Sequence, residues 1–224
     1  MIAGMTVSTD RRRTGRPKAE DAPATLEQIL ETAFRAFATQ GYEGVSVRTL
    51  TQQLGVSHNL IHQRFGSKQG LWYAAVDHAF GSQVTELTTA FDPSLTDPLD
   101  QLDHMIRRFL RYSADHPELL GLMNIEGRLD SERLDYIYDK YVAPALAPIG
   151  WLLEHLAAQG RIRPISLRTF LFLMAHGGAA PFTLIPFARR FDPADPLDAD
   201  HIDQHAATIA DILTNGLRLN PTNT

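Results

Sequence analysis

The stretch LGVSHNLIHQRFGSK, residues 54–68, decides the fold of this 224-residue chain. Gly55 is suited to ending one helix and Ser57 to capping the next, so a three-residue turn would join the two. In the second helix Ile61 and Phe65 form the apolar seam, while most other side chains are hydrogen-bonding groups and none is acidic. Two short helices joined by a Gly-containing turn are typical of a helix-turn-helix unit.

Helical signals extend in both directions from this stretch. Thr25 to Gln28, TLEQ, has the form of a capping box, and the apolar residues behind it recur at helical spacing up to Gly41, a suitable terminator. Ser46 and Ser67 are suited to capping the second and fourth helices. Further helices are predicted at about 68–90, 97–114, 117–124, 130–158, 164–188 and 198–218. The predicted fold class is therefore all-α.

The composition fits a globular protein in a reducing compartment. Hydrophobic residues make up 44% of the chain, charged residues 21%, and there is no Cys. No apolar segment follows the basic start as it would in a secretory signal, so we expect a cytoplasmic protein. Residues 1–72 hold nine Lys and Arg against six Asp and Glu, whereas residues 73–224 hold twelve against twenty. This asymmetry favours a polyanionic partner for the first third.

The second helix of the pair has the surface chemistry of a DNA-reading element. Val56, Ile61 and Phe65 would hold it on a small core. The side chains that then project outward are His58, Asn59, His62 and Gln63. Phosphate would repel acids on this face, whereas amides and imidazoles exchange hydrogen bonds with bases and backbone oxygens. A helical bundle with a solvated polar helix is the alternative, but the caps, the turn and the basic arm together favour DNA binding.

Residues 1–23 form a polar, basic segment interrupted by Gly15, Pro17 and Pro23, which predicts a disordered arm. Its Gly15-Arg16-Pro17 sequence is similar to the core of AT-hook segments, which bind the minor groove, so Arg16 is a candidate DNA contact. A solubilising tail is the alternative for the same composition. Under either interpretation, the basic arm would raise the nonspecific, salt-sensitive affinity for DNA.

Residues 27–76 resemble the DNA-binding domain of the tetracycline-repressor (TetR) family of transcriptional regulators. The resemblance lies in the order and spacing of Phe37, Gly41, Tyr42, Ser46, Val47, Leu50, Gly55, Val56, Ser57, Phe65, Lys68 and Leu71. The rest of the chain resembles the family only in being a larger helical domain. The resemblance implies an N-terminal three-helix DNA-binding domain at residues 24–72 and a helical ligand-binding and dimerisation domain at residues 73–224.

The resemblance also implies roles for single residues. Ser46 and Arg48 would approach the DNA backbone and the groove edge, and Lys68 would sit on a phosphate, assisted by the dipole of the fourth helix. His62 stands where the family usually has a phosphate-contacting Tyr, and Leu60 would either meet a thymine methyl or pack at the helix rim. The predicted DNA contacts are Ser46, Arg48, Ser57, His58, Asn59, Leu60, His62, Gln63 and Lys68, together with Arg16.

For the acidic part, the resemblance implies a homodimer formed by the last two long helices, about 164–188 and 198–218, that reads two half-sites of a double-stranded operator. It also implies a pocket whose small-molecule effector, mostly apolar or aromatic, releases a repressor from DNA. The candidate pocket residues, each of which has core packing as its alternative, are Met105, Phe109, Tyr112, Met123, Trp151, His155, Phe170, Met174 and His176. A ligand-independent regulator or an activator is the alternative function.

Other functions are less compatible with the sequence. Residues 169–188 lack charged side chains and are long enough to span a bilayer, but their Gly and Pro residues favour a buried helix over a membrane span. The AHGG sequence at 175–178 resembles an esterase oxyanion loop, yet no G-x-S-x-G elbow is present and no strands are predicted, so we expect no enzyme. His58 with His62 and His201 with His205 have i,i+4 spacing, but without Cys or H-E-x-x-H we expect no metal and no other cofactor.

Overall fold

The computed structural model describes residues 24–88 and 91–219, and for residues 82–88 it describes the backbone only. The predicted arm, residues 1–23 with Arg16, lies outside the described residues. Within them the chain is helical, and the β pairing is limited to an isolated bridge between Ile162 and Arg218. The all-α prediction is confirmed.

Four helices build the N-terminal part: α1 (Leu26–Gly44), α2 (Val47–Leu54), α3 (His58–Phe65) and α4 (Lys68–Thr88). The remainder consists of α5 (Pro98–Asp115), α6 (Pro117–Glu126), α7 (Glu132–Ile137), a π-helical segment π1 (Tyr138–Val142), α8 (Ala143–Ala158), α9 (Leu167–Phe172), a second π-helical segment π2 (Leu173–Gly178), α10 (Ala180–Thr183), α11 (Ile185–Ala188) and α12 (Ala199–Leu217).

Side-chain caps begin the first helices where the sequence predicts them. Thr25 and Gln28 form the predicted capping box, with each side chain bonded to the other residue's backbone N–H. The hydroxyls of Ser46, Ser57 and Ser67 accept hydrogen bonds from the N–H groups of Thr49, Leu60 and Gly70. Gly41 interrupts α1 with a φ of 71°, and Gly55 ends α2 with a φ of 65°, both in the region that favours glycine.

Two clusters of buried apolar side chains form the interior. The N-terminal core contains residues of α1 to α4, including the fully buried Trp72, and also takes in Leu119, Leu122, Ile137 and Tyr141 from later elements. The C-terminal core is built by α5, α8, α9, π2, α10 and α12. Because α4 runs without interruption through residues 72 and 73, the domain boundary placed there stays a prediction.

The single helix predicted at 164–188 is wrong. The segment forms α9, π2, α10 and α11, of six, six, four and four residues. Pro181 and Pro186 lie in the first turns of α10 and α11, where the missing N–H is tolerated, but neither residue continues the preceding helix. Thus, of the two long helices assigned to the dimer, only α12 is continuous.

α12 packs on α5 within the same chain. Ile202 is buried in the C-terminal core, Ile209 and Leu213 pack partly against it, and Ile212 is exposed. A Cβ on Gly178 would lie 3.0 Å from Ile209 and 3.1 Å from a leucine of α5, so this glycine permits a close intramolecular approach. Within the described residues, no helix combines the length and the apolar character that crossing a bilayer requires.

Candidate nucleic-acid interface

The turn between α2 and α3 is held by backbone hydrogen bonds and an apolar seam. The N–H of Val56 donates to the carbonyl of Thr51 over 3.0 Å, directly after Gly55 reverses the chain. Ile61 is buried in the N-terminal core, as the sequence predicts, and Phe65 packs partly against it. Leu60 is also half-buried against this core, and its contact with a thymine methyl stays a prediction.

The opposite face of the helix pair is exposed and free of acids. The predicted contacts Ser46, Arg48, Ser57, His58, Asn59, His62 and Gln63 are all exposed. Thr49, Gln52, Gln53 and Arg64 are exposed beside them, although none was a candidate. No Asp or Glu occurs from Gly44 to Val76, so the positive charges of this segment have no acidic neighbour within it. Such a surface attracts phosphate and offers donors and acceptors to bases.

The end of α3 and the start of α4 are locked together. The N–H of Gly70 donates to the Ser67 hydroxyl over 3.0 Å, and a Cβ on Gly70 would lie only 2.0 Å from the carbonyl oxygen of Phe65. Only glycine fits this contact. Lys68 therefore begins α4 at a defined place beside α3. There the dipole of α4 favours an anion.

The Lys68 side chain lies against Tyr42. Its Nζ is 4.6 Å from the centre of the Tyr42 ring and 3.4 Å from the carbonyl oxygen of Glu43. The guanidinium of Arg133, from α7, lies 4.2 Å from the centre of the same ring. Burial raises the pKa of the Tyr42 phenol and Arg133 opposes that rise, so the phenol is protonated at neutral pH. Tyr42 and Arg133 were not candidates, because their contact joins residues far apart in the sequence.

Asp77 connects α4 to α7 and π1. Its Oδ1 accepts hydrogen bonds from the hydroxyls of Tyr136 and Tyr141, both over 2.6 Å, and from Lys140 Nζ over 2.8 Å. Burial acts to raise the pKa of Asp77, but hydrogen bonds from Lys140 and the two tyrosines hold that pKa below its usual value. Burial, and then the bond to Asp77, raise the pKa of Tyr141 to about 12. We call these four residues the Asp77 hub.

The structure does not bring the nine effector-pocket candidates together. Met105, Phe109, Phe170 and Met174 belong to or pack on the C-terminal core, and Tyr112 and Met123 pack on the N-terminal core. Trp151 is 60% exposed and stacks on His155, with ring centres 4.9 Å apart, and His176 is exposed beside Phe172. Their role in binding an effector stays a prediction.

A cavity of about 440 Å³ lies elsewhere, between residues 181–196 and α12. None of the nine candidates lines it; its walls are Pro181, Phe182, Ala188, Phe191, Asp192, Ala194, Asp195, Pro196, His201, Gln204, His205 and Thr208. The Nε2 of His205 is 2.6 Å from the carbonyl oxygen of Gly178, and its ring meets Phe182 edge to face. Two aromatic rings and two imidazoles thus face one space. The i,i+4 spacing of His201 and His205 was the sequence feature that could have indicated this cavity, but it was considered only for metal binding.

One group of potential metal ligands joins α1 and α4. Ligand atoms of Glu27, Glu31 and His78 lie within 4.8 Å of one another. Glu27 is exposed, and Glu31 is 3.6 Å from Arg35, with which it forms an i,i+4 ion pair. Solvated surface electrostatics therefore account for this group.

An exposed, acid-free helix-turn-helix face on one helical core, followed by a second helical core, is the arrangement of DNA-binding regulators. Residues 29–75 match the family model described as bacterial regulatory proteins, tetR family. Residues 98–213 match the one described as tetracyclin repressor-like, C-terminal domain. The chain therefore belongs to the TetR family, and the resemblance found in residues 27–76 is confirmed.

Individual relatives agree with this family. The repressor NicS of Pseudomonas putida is 25% identical over 115 residues, which span 51% of this chain and 53% of NicS, so the match covers about half of that relative. The repressor Rv3405c of Mycobacterium tuberculosis is 31% identical over 154 residues, 65% of this chain and 79% of that protein. The structure of FadR from Bacillus subtilis, in complex with stearoyl-CoA, shares the fold, with a TM-score of 0.61, 16% identity and coverage of 87% and 100%.

Proposed function

We propose that this chain is a sequence-specific DNA-binding transcriptional regulator, a repressor that acts on operator DNA in the cytoplasm. The observation that carries this proposal is the exposed, acid-free face of α2 and α3, with Lys68 beside it. Membership of the TetR family and the repressor relatives support the same function. On this surface Lys68 and Arg48 would bind phosphates, and Asn59 and Gln63 would read base edges.

Selection of bound duplexes from a random pool tests this function. Lys68→Ala should weaken binding to all sequences alike and lower the salt slope by about one, because one phosphate contact is lost. Asn59→Ala and Gln63→Ala should instead relax preference at particular positions. Arg163→Ala removes an exposed cation between α8 and α9, outside the proposed DNA and dimer surfaces, and should change neither property. A wild-type protein that enriches no sequence at low salt would refute the proposal.

The regulator would act as a homodimer through the α9 to α12 region. Support comes from the large apolar side chains that this region exposes, Phe172, Leu173, Leu184, Phe187 and Ile212. Exposed apolar patches of this kind mark contact surfaces. Phe187→Glu should yield a monomer in sedimentation and bind single half-sites only weakly. A wild-type protein that is monomeric at micromolar concentration would contradict this assembly.

A small effector would release the regulator from DNA. Support comes from the cavity beside α12, whose aromatic rings and imidazoles suit a mostly apolar or aromatic molecule with a hydrogen-bonding group. The complex of FadR with stearoyl-CoA shows that one protein of this fold holds a ligand. Screening by thermal shift, followed by His205→Phe, tests the site: the variant should lose the effector response but keep the operator affinity of the free protein. Equal operator affinity with and without each compound that binds would indicate a ligand-independent regulator.

A further inference from the structure

The Tyr42 ring is held from several sides. It stacks on the fully buried Phe37, with ring centres 6.0 Å apart and planes at 15°. Arg133 lies 4.2 Å and Lys68 4.6 Å from its centre. Because the face of an aromatic ring is electronegative, it attracts both cations. The cation predicted to sit on a phosphate thus shares its aromatic partner with a cation from α7.

Arg133 itself is fixed by a buried carboxylate. Its Nε donates to both oxygens of Glu126, over 3.2 and 3.1 Å, and the Glu126 side chain is fully buried. Withdrawing Arg133 would leave a buried charge without its partner, which is strongly unfavourable. Arg133 is therefore an anchored cation, and the half-buried Lys68, held against the Tyr42 ring, is the second cation of the trio.

We propose that Arg133 is a positioning residue for DNA binding: anchored by Glu126, it fixes the Tyr42 ring, and the ring holds Lys68 ready for a phosphate. This inference rests on the proposed function. A preordered lysine loses less side-chain freedom when it meets DNA than one that moves freely in solvent. Glu126 and Arg133 belong to α6 and α7. Residues outside the first four helices would therefore influence a phosphate contact made by Lys68.

The first test measures operator affinity in a double-mutant cycle. Glu126→Gln/Arg133→Met removes both charges together, so no buried charge is left unpaired. This pair variant should weaken binding by about threefold to tenfold when Lys68 is present, and by less than about twofold in the Lys68→Ala background. Asp103→Asn/Arg107→Met removes a partly buried Asp–Arg ion pair from α5, which makes no contact with Tyr42 or Lys68 in the described structure, and should leave affinity unchanged.

Two results of the cycle would overturn the inference. An equal loss in both backgrounds would mean that Arg133 contacts DNA itself or supports the fold, and the salt slope would then fall by about one even without Lys68. No loss in either background would mean that Arg133 has no influence. Tyr42→Leu keeps the Glu126–Arg133 pair and should reproduce the loss, so it decides the matter if the pair variant folds poorly.

A second test needs no DNA. The ε-methylene protons of Lys68 lie near the Tyr42 ring and should show an upfield ring-current shift in the NMR spectrum of the free protein. That shift should move toward the random-coil value in the pair variant and stay unchanged in the Asp103→Asn/Arg107→Met control. An unchanged shift in the pair variant overturns the inference. A wild-type protein that binds no DNA refutes the proposed function instead, so the two failures are distinguishable.

Discussion

Replacing Tyr141 with Phe should destabilise the protein by about 1.5 kcal/mol. The change keeps the ring, which is 7% exposed in the N-terminal core, and removes only the hydroxyl that donates to Asp77 over 2.6 Å. Hydrogen bonds to charged groups are worth about 1.5–3 kcal/mol, and the lower end applies because the Asp77 side chain is 42% exposed. Tyr136 and Lys140 still bond to the carboxylate, so no orphaned acceptor adds to the loss.

Urea unfolding near pH 7 measures this loss, with Tyr138→Phe as the matched control. Tyr138 lies in the same π1 segment but is 53% exposed, so its replacement should change stability by less than about 0.5 kcal/mol. The pKa of Asp77 is lower in the folded state than the ordinary value of 3.8, so the Asp77 hub stabilises the fold fully above that value and loses its effect as the pH falls through the folded pKa. The difference between wild type and Tyr141→Phe should shrink accordingly in acid.

Tyr141 has the opposite pH dependence, because its contribution to stability is lost at high pH. Its folded pKa of about 12 exceeds the ordinary value of 10.0, so its contribution is complete below pH 10 and is lost as the pH rises through 12. Absorbance titration should show one tyrosine ionising near pH 12 that is missing from Tyr141→Phe. Equal destabilisation by the two replacements, or a Tyr141 that ionises near pH 10, would refute the reasoning.

Two further changes test the junctions around the reading helix. Gly70→Ala places a methyl 2.0 Å from the Phe65 carbonyl oxygen and should lower the free energy of unfolding in urea by about 2 kcal/mol. The control Gly81→Ala meets no atom within 4 Å and should raise the free energy of unfolding by about 0.5 kcal/mol. Similar effects of the two replacements would contradict the close contact at Gly70. Ser57→Ala removes the cap on the Leu60 N–H and should lower stability by about 1 kcal/mol, while Ser57→Thr should retain most of it; equal losses would show that the cap contributes little.

The first four helices were predictable because their signals are local. A cap such as Ser57 or a terminator such as Gly55 acts within one turn of its own position, so the sequence alone contains the required information. The exposed face of α3 was predictable for the same reason. Once Ile61 is assigned to the core, helix geometry places the polar residues of α3 on the opposite side, toward solvent.

The later segments depended on distant contacts. Whether Pro181 and Pro186 bend a helix or break it into short pieces is decided by what α5 and α12 offer for packing, which no local pattern records. The π-helical turns differ from an α-helix by one residue in hydrogen-bond spacing, and no residue type in these two segments signals that extra residue. The pocket candidates failed to converge for a related reason: residue type predicts burial but not which of two cores receives the side chain.

The Tyr42 contacts show the same limit within the site. Lys68 was identified through the resemblance to the TetR family, yet its aromatic partner comes from the end of α1 and the second cation on that ring from α7. Arg133 had no distinguishing sequence signal, since an arginine in a helix is usually solvated. Its partner Glu126 was equally inconspicuous, because charged residues are seldom fully buried.

The uninterrupted course of α4 has a mechanical consequence. With 21 residues the helix is about 30 Å long, so it behaves as a stiff lever whose near end is clamped to α3 at Gly70. A pivot of about 5° at the clamp would displace the far end by about 3 Å, and the reverse holds for a push applied there. In a twofold assembly the two α4 helices would tilt in opposite directions. A small tilt would therefore change the distance between the two helix-turn-helix units by several ångströms, and the two α3 helices would no longer match successive major grooves.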